Sequence, residues 1–87
     1  DNLTLARNEI YARHGFIFKT EAFRDYFNKK SWYSENPNFK GSDGELNDVE
    51  TYNINIISKY ENKKKSKKVY ITINALISLR TTNFIFN

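Results

Sequence analysis

Two basic side chains near the start of the chain, Arg7 and His14, are the residues best suited to chemistry. His14 is the single histidine of the sequence, and an imidazole can act near neutral pH as a general acid, a general base or a metal ligand. Because there is no second histidine and no cysteine among the 87 residues, a metal site or a catalytic triad has little support. We expect no cofactor. We interpret His14 chiefly as a structural residue at the end of a helix, where it interacts favourably with the helix dipole and bonds the last carbonyls. Contact with a ligand is the alternative.

Arg7 is more informative, because it falls within the apolar stripe of the predicted first helix. A guanidinium in that position needs an internal partner, or it faces a bound ligand. We favour a structural role, either an ion pair or a clamp on backbone carbonyls. The candidate acids for the ion pair are Asp48, Glu50, Glu35, Asp43 and Glu45. Arg13 is predicted to be exposed and paired with Glu9, so Arg7→Ala should destabilise the domain more than Arg13→Ala.

Three aromatic residues, Tyr11, Trp32 and Tyr33, could form a second kind of site. Their rings could stack on the apolar faces of sugars while nearby Asn and Arg side chains donate hydrogen bonds. The competing interpretation is a hydrophobic core. We favour the core, because one Trp, six Tyr and seven Phe are the main apolar area that so small a cysteine-free chain can bury.

Three helices are predicted to position these side chains. Asn2 and Gly15 suit the two ends of a helix over residues 3–14, and Thr20 suits the start of a second over 21–29. Asn47 and Glu50 resemble a capping box for a third helix over 48–61. Residues 31–45 contain Pro37, Gly41 and Gly44 and predict a long loop. The predicted core is Leu3, Ile10, Phe18, Phe23, Phe27, Trp32, Val49, Ile56 and Ile57.

The fold class predicted is therefore mainly α: a small three-helix domain with a long loop between its second and third helices. Charge separates this domain from the tail. Residues 1–62 carry eight Lys and Arg against ten Asp and Glu, whereas residues 63–87 carry six basic residues and no acid. We divide the chain into a domain over 1–62, and a basic linker with an unassigned tail over 63–87 that could form a short strand or hairpin.

The basic run after residue 62 bears on partners. It is most simply a solvated linker, and contact with anionic lipid is the weaker alternative. Nucleic acid is not an expected partner, because the excess positive charge is confined to the tail. The tail's apolar part is too short to cross a bilayer. The lysines concerned are Lys63, Lys64, Lys65, Lys67 and Lys68.

The string LARNEIYARHGFIFK, residues 5–19, resembles the defining segment of the YARHG domain family, whose name is spelled by residues 11–15. Further pieces match in order: YF at 26–27, WY at 32–33, LND at 46–48 and E..NI..I..YE over 50–61. The resemblance covers about residues 3–61. Family members usually carry a further segment before the first helix, and the chain contains no methionine, so we expect an N-terminally truncated part of a longer gene product.

The resemblance implies a small bacterial domain outside the cytoplasm, in the cell envelope or secreted. It implies a non-catalytic module that binds an envelope component, with peptidoglycan proposed, or another domain of the same protein. Two alternatives stay open. One is a structural spacer without a ligand, and the other is an envelope enzyme that uses Arg7 and His14 on a glycan or peptide. The candidate ligand-binding residues are Arg7, Tyr11, His14, Trp32 and Tyr33.

Overall fold

A computed structural model of the chain describes residues 2–66 and shows three helices over that range. Helix α1 spans Asn2–Ala12, α2 spans Glu21–Asn28, and α3 covers residues 48–66. A single 3-10 turn, Asp43–Glu45, interrupts the loop before α3. Within the described range there is no strand, so the predicted fold class is confirmed. The predicted strand or hairpin of the tail lies outside the described residues.

Helix α3 is longer than predicted. It continues past residue 61 to residue 66, so the first residues of the lysine run are helical rather than linker. Its start is as predicted: Asn47 Oδ1 accepts from the Glu50 N–H at 2.8 Å, and Glu50 Oε1 accepts from the Asn47 N–H at 3.0 Å. This reciprocal pair is a complete capping box. In the described part of the chain, no helix is long and apolar enough to cross a membrane.

Gly15 ends the first helical segment, as predicted. The Gly15 N–H donates to the Ala12 carbonyl at 2.9 Å, and the Phe16 N–H donates to the Tyr11 carbonyl at 3.2 Å. With φ of 87° at Gly15, these bonds form a Schellman motif. The chain then turns so that the Asn36 N–H donates to the Gly15 carbonyl at 2.8 Å, which brings the long loop against the end of α1.

The core is small and aromatic. Phe18 and Phe27 stack with ring centroids 4.9 Å apart, and half-buried aromatic side chains surround them. This arrangement confirms the part of the predicted core that α2 and the two segments beside it supply. The buried apolar residues are Ala12, Phe18, Phe27 and Phe39, and the half-buried aromatic ones packed on them are Phe16, Phe23, Tyr26, Trp32 and Tyr33.

The core prediction for α3 is partly wrong. Val49 is 67% exposed, because α3 faces α1 through a different side. That inner side carries Glu50, Ile54, Ile57 and Glu61, which fall within about 60° of one another on a helix, and Val49 lies about 100° away from Glu50. The remaining predicted core residues, Leu3, Ile10, Ile56 and Ile57, are half-buried.

Candidate functional site

Arg7 is held by a carboxylate of α3 that the sequence did not suggest. Its Nε donates to Glu61 Oε1 at 2.7 Å and its Nη2 to Glu61 Oε2 at 3.4 Å. Thr4 Oγ1 donates to the same Oε2 at 3.0 Å. The structural ion pair is therefore present, but each of the five acids proposed as its partner was wrong. Glu61 lies three turns after Glu50 on the inner side of α3, and that shared side was the signal that could have identified it.

His14 is also paired with α3. Its Nε2 lies 2.5 Å from Glu50 Oε2, and its ring stacks on Phe39 with centroids 4.7 Å apart and an interplanar angle of 11°. The prediction that His14 bonds the last carbonyls of α1 is wrong, because the Schellman motif already satisfies two of those carbonyls with backbone N–H groups. The side chain turns instead toward the loop and α3.

Glu50 and Glu61 are the acids that fasten α3 to α1. The backbone N–H of Asn47 lowers the pKa of Glu50, with a smaller contribution from His14, against the opposing effect of burial. The hydrogen bond from Arg7 lowers the pKa of Glu61, again against burial. Because Arg7 meets Glu61 and His14 meets Glu50, the two helices run antiparallel.

Arg7 and His14 therefore have separate partners. Each basic side chain has its own carboxylate, and the acids are 11 residues apart along α3. Their side chains are about one-third exposed, 31% for Arg7 and 33% for His14. This geometry fits two separate ion pairs with α3 better than one shared reaction centre.

The three candidate aromatic residues fall into two places. Trp32 and Tyr33 are neighbours whose rings meet at 85°, so they present no common flat face. The Arg13 guanidinium lies 3.7 Å from the Trp32 ring centroid. Tyr33 Oη donates to the Phe16 carbonyl at 2.6 Å, and burial, together with the Glu35 charge, raises the pKa of Tyr33. Their role in ligand binding stays a prediction.

Tyr11, by contrast, packs against Phe16 with ring centroids 6.0 Å apart. Phe16 meets Phe39 edge-on at 6.3 Å, and Phe39 in turn stacks on His14. Tyr11 and His14 of the YARHG string thus pack against Phe16 and Phe39, which both lie outside the helices. Phe39 was absent from the predicted core because it lies in the loop, where no helical periodicity marks it.

These phenylalanines line a concave surface, which we call the core groove. Its volume is about 700 Å³. Residues 16–20 form one side, and their alternating exposure indicates an extended segment. Residues 37–40 form another side. Among the described residues, its lining includes two lysines but no acid and no histidine. The lining residues are Asn8, Phe16, Ile17, Phe18, Lys19, Thr20, Phe23, Pro37, Phe39 and Lys40.

The groove was not predicted from the sequence, because residues 16, 17 and 18 are all apolar and show no alternation of apolar and polar types. In FIFK, residues 16–19, apolar residues at 16 and 18 turn inward while Ile17 and Lys19 are exposed. That alternation is typical of an extended segment with one face on a core. Over residues 2–66, no group of three or more His, Cys, Asp or Glu side chains is arranged to hold a metal ion.

Comparison with known proteins gives one match. The family model described as the YARHG domain matches residues 1–62, a range that holds α1, α2, the loop and most of α3. No curated protein and no solved structure matches the chain. The chain therefore belongs to the YARHG domain family.

Proposed function

We propose that this YARHG domain is a non-catalytic binding module of the bacterial cell envelope, and that the core groove is its ligand surface. The proposal rests on the contacts that the motif residues make. Tyr11 packs on Phe16 and His14 stacks on Phe39, and both phenylalanines line the groove. The motif in this way builds and supports a concave surface.

The chemistry of the groove favours binding over catalysis. Its floor is aromatic, which suits the apolar faces of sugars and aliphatic side chains. Asn8 and Thr20 offer hydrogen-bonding groups at its edge, and Lys19 and Lys40 offer positive charge. Within the described residues its lining has no carboxylate or imidazole to act as a general acid or base.

The cell-envelope location rests on the family. Peptidoglycan would match the groove in chemical class, because it combines sugar rings with short peptides that carry carboxylates. A partner domain of the same protein is the other ligand that this surface could accept. A structural spacer does not require an open groove with exposed lysines at its edge, so that alternative is less well supported.

The enzyme alternative needs Arg7 and His14 to act together on a substrate. Their separate pairing with Glu61 and Glu50 counts against it, as does the position of both residues outside the groove lining. Incubation of the domain with soluble muropeptides is therefore expected to leave their masses unchanged. Cleavage that His14→Ala abolishes would overturn the non-catalytic assignment.

The binding proposal is tested by NMR titration of the isotope-labelled 87-residue chain with soluble muropeptides. The amides of residues 16–20 and Lys40 are expected to shift, while the exposed outer side of α3, marked by Tyr52 and Lys59, stays unchanged. Ile17→Asn should weaken the shifts and Tyr52→Asn should not. If no amide shifts, the spacer alternative gains; if only amides near Trp32 and Tyr33 shift, the ligand surface has been misplaced.

A further inference from the structure

Within the segment of the core groove formed by residues 16–19, Phe16 is the residue whose backbone groups are hydrogen-bonded inside the described part of the chain. The Phe16 N–H donates to the Tyr11 carbonyl, and the Phe16 carbonyl accepts from Tyr33 Oη. In an extended chain, the N–H and C=O of one residue point to the same edge, and those of the next residue point to the opposite edge. Ile17 and Lys19 therefore direct their backbone groups away from the edge that Phe16 uses.

These backbone groups have no partner in the described part of the chain. Neither Ile17 nor Lys19 takes part in a backbone or side-chain hydrogen bond within residues 2–66. The first bond of α2 begins at the Thr20 carbonyl, which accepts from the Arg24 N–H at 3.0 Å. Two donors and two acceptors at the two-residue repeat of a strand are thus left at the groove, and an open edge of this kind pairs with another extended chain.

The exposed side chains of this segment add a charge pattern. Ile17 is 39% exposed, and Lys19, two residues later on the same face, has no ion pair within the described residues. Lys40 adds positive charge from the other side of the groove. Backbone N–H groups of Ser42 and Lys40 lower the pKa of Glu45, and the Lys40 charge contributes to that shift. Lys19 is therefore the freer of the two cations.

We propose that the core groove binds an extended peptide as an added β-strand along residues 17–19, with an apolar and an acidic side chain two positions apart on the ligand. The apolar side chain lies beside Ile17 and the carboxylate beside Lys19. This inference rests on the proposed binding function and names its ligand class: a peptide, read by its backbone, rather than a sugar. A glycan lacks the regular amide repeat that the open edge matches.

The chain's own tail is a poor occupant for the groove. Residues 63–87 carry six basic side chains and no acid, so no segment of the tail can place a carboxylate beside Lys19 or Lys40. An acidic segment from another domain or a peptide bearing carboxylates provides the complementary charge.

The test uses the 87-residue chain and acetylated, amidated pentapeptides. Two probes place Val and Glu two positions apart in either order within a Thr background, which allows both strand directions, and a third replaces Glu with Lys. The better acidic probe is expected to bind about five- to tenfold more tightly than the Lys probe. Lys19→Glu should lose a similar factor, whereas Lys29→Glu, an exposed lysine outside the groove lining, serves as the matched control and should change affinity less than about twofold.

Backbone pairing is tested with two N-methylated isomers of the better probe, one methylated at odd amides and one at even amides. Only one set of amides faces a partner strand, so one isomer should lose about tenfold or more in affinity and the other should keep most of it. In the complex, the Ile17 and Lys19 amides should become protected from hydrogen exchange. If both isomers bind alike, or the Lys probe binds as well as the acidic one, the proposal fails.

Two further outcomes separate this proposal from the proposed function. If muropeptides, or glycan chains without peptide, shift the groove amides while every pentapeptide leaves them unchanged, the peptide proposal fails and the binding function stands. If no probe shifts the groove, both fail. If nuclear Overhauser effects link Ile17 to residues 69–79 in the free chain, the tail occupies the groove and the proposal is overturned.

Discussion

The Arg7–Glu61 pair gives the sharpest test of how α3 is held against α1. Arg7 donates to both carboxylate oxygens, at 2.7 and 3.4 Å, and the two side chains are 31% and 13% exposed. The Glu9–Arg13 pair has one contact at 3.3 Å and side chains that are 44% and 53% exposed, respectively. The first pair joins two helices, and the second lies along one, so their coupling energies should differ.

The expected magnitudes follow from burial. An exposed pair four residues apart on a helix contributes about 0.3–0.5 kcal/mol. The Arg7–Glu61 pair is partly screened by solvent, so its coupling lies between that of an exposed pair and that of a buried one, at about 1–2 kcal/mol. Arg7→Ala also leaves Glu61 without its main partner, and the domain should lose about 1.5–2.5 kcal/mol, or about 6–20 °C in Tm.

Double-mutant cycles measure these couplings directly. The comparison of Arg7→Ala with Arg13→Ala alone is not clean, because Arg13 also lies over the Trp32 ring and its loss removes about 0.5–1 kcal/mol of cation–π attraction. The cycle on Glu9 and Arg13 cancels that contribution. Urea unfolding followed by circular dichroism at pH 7, for each single and double alanine variant, supplies the free energies.

Equal coupling in the two cycles, or an Arg7–Glu61 coupling below about 0.5 kcal/mol, would refute the argument from burial. Salt provides a second check. Raising the ionic strength should reduce the Glu9–Arg13 coupling by the larger fraction, since its charges are the more exposed.

Three further predictions concern the rest of the motif and the loop. Gly15→Ala should lower the free energy of unfolding in urea by about 3 kcal/mol or more, because φ is 87° and the added Cβ would lie 2.6 Å from a backbone oxygen. Gly44→Ala is the control, because no atom lies within 4 Å of the Cβ that it adds. Equal losses of stability in the two variants would contradict this reasoning. Tyr33→Phe should cost about 1 kcal/mol in the same assay, since it leaves a carbonyl without its 2.6 Å donor; an unchanged unfolding midpoint would show that water replaces the hydroxyl. Glu50 and Glu61 have lowered pKa values in the folded state, so their contribution to stability is present above the unfolded carboxyl pKa of about 4.3 and is lost as the pH falls through their folded values. Urea unfolding measured from pH 7 to pH 2 should show this loss of stability. The double variant Glu50→Gln, Glu61→Gln should show a smaller change of unfolding free energy with pH.

Local signals in the sequence determined the helices and their ends. Glycine at position 15 is the residue that a left-handed turn prefers, and Asn47 with Glu50 needed only three residues of chain to form its capping box. Such features depend on a few neighbouring residues, so reading them requires no knowledge of the fold. The motif also sufficed to place the chain in its family.

Contacts between residues far apart in the chain could not be predicted from such local signals. Which side of α3 faces α1 depends on how two helices far apart in the chain meet, and the assignment of Val49 to the core pointed to the wrong side. The same limit hid Glu61 as the partner of Arg7, because an arginine can reach any acid that the fold brings near.

For the groove, too, some features follow from the sequence and others only from the tertiary structure. The sequence by itself determined that three apolar residues and a lysine follow Gly15 at positions 16–19, and that the chain has no second histidine and no cysteine to act with His14. Only the tertiary structure decided that the loop returns over the end of α1, places Phe39 on His14 and leaves one backbone edge of residues 17–19 open. A turn permitted by Gly15 is a local property, but what packs against that turn depends on contacts between residues distant in the chain.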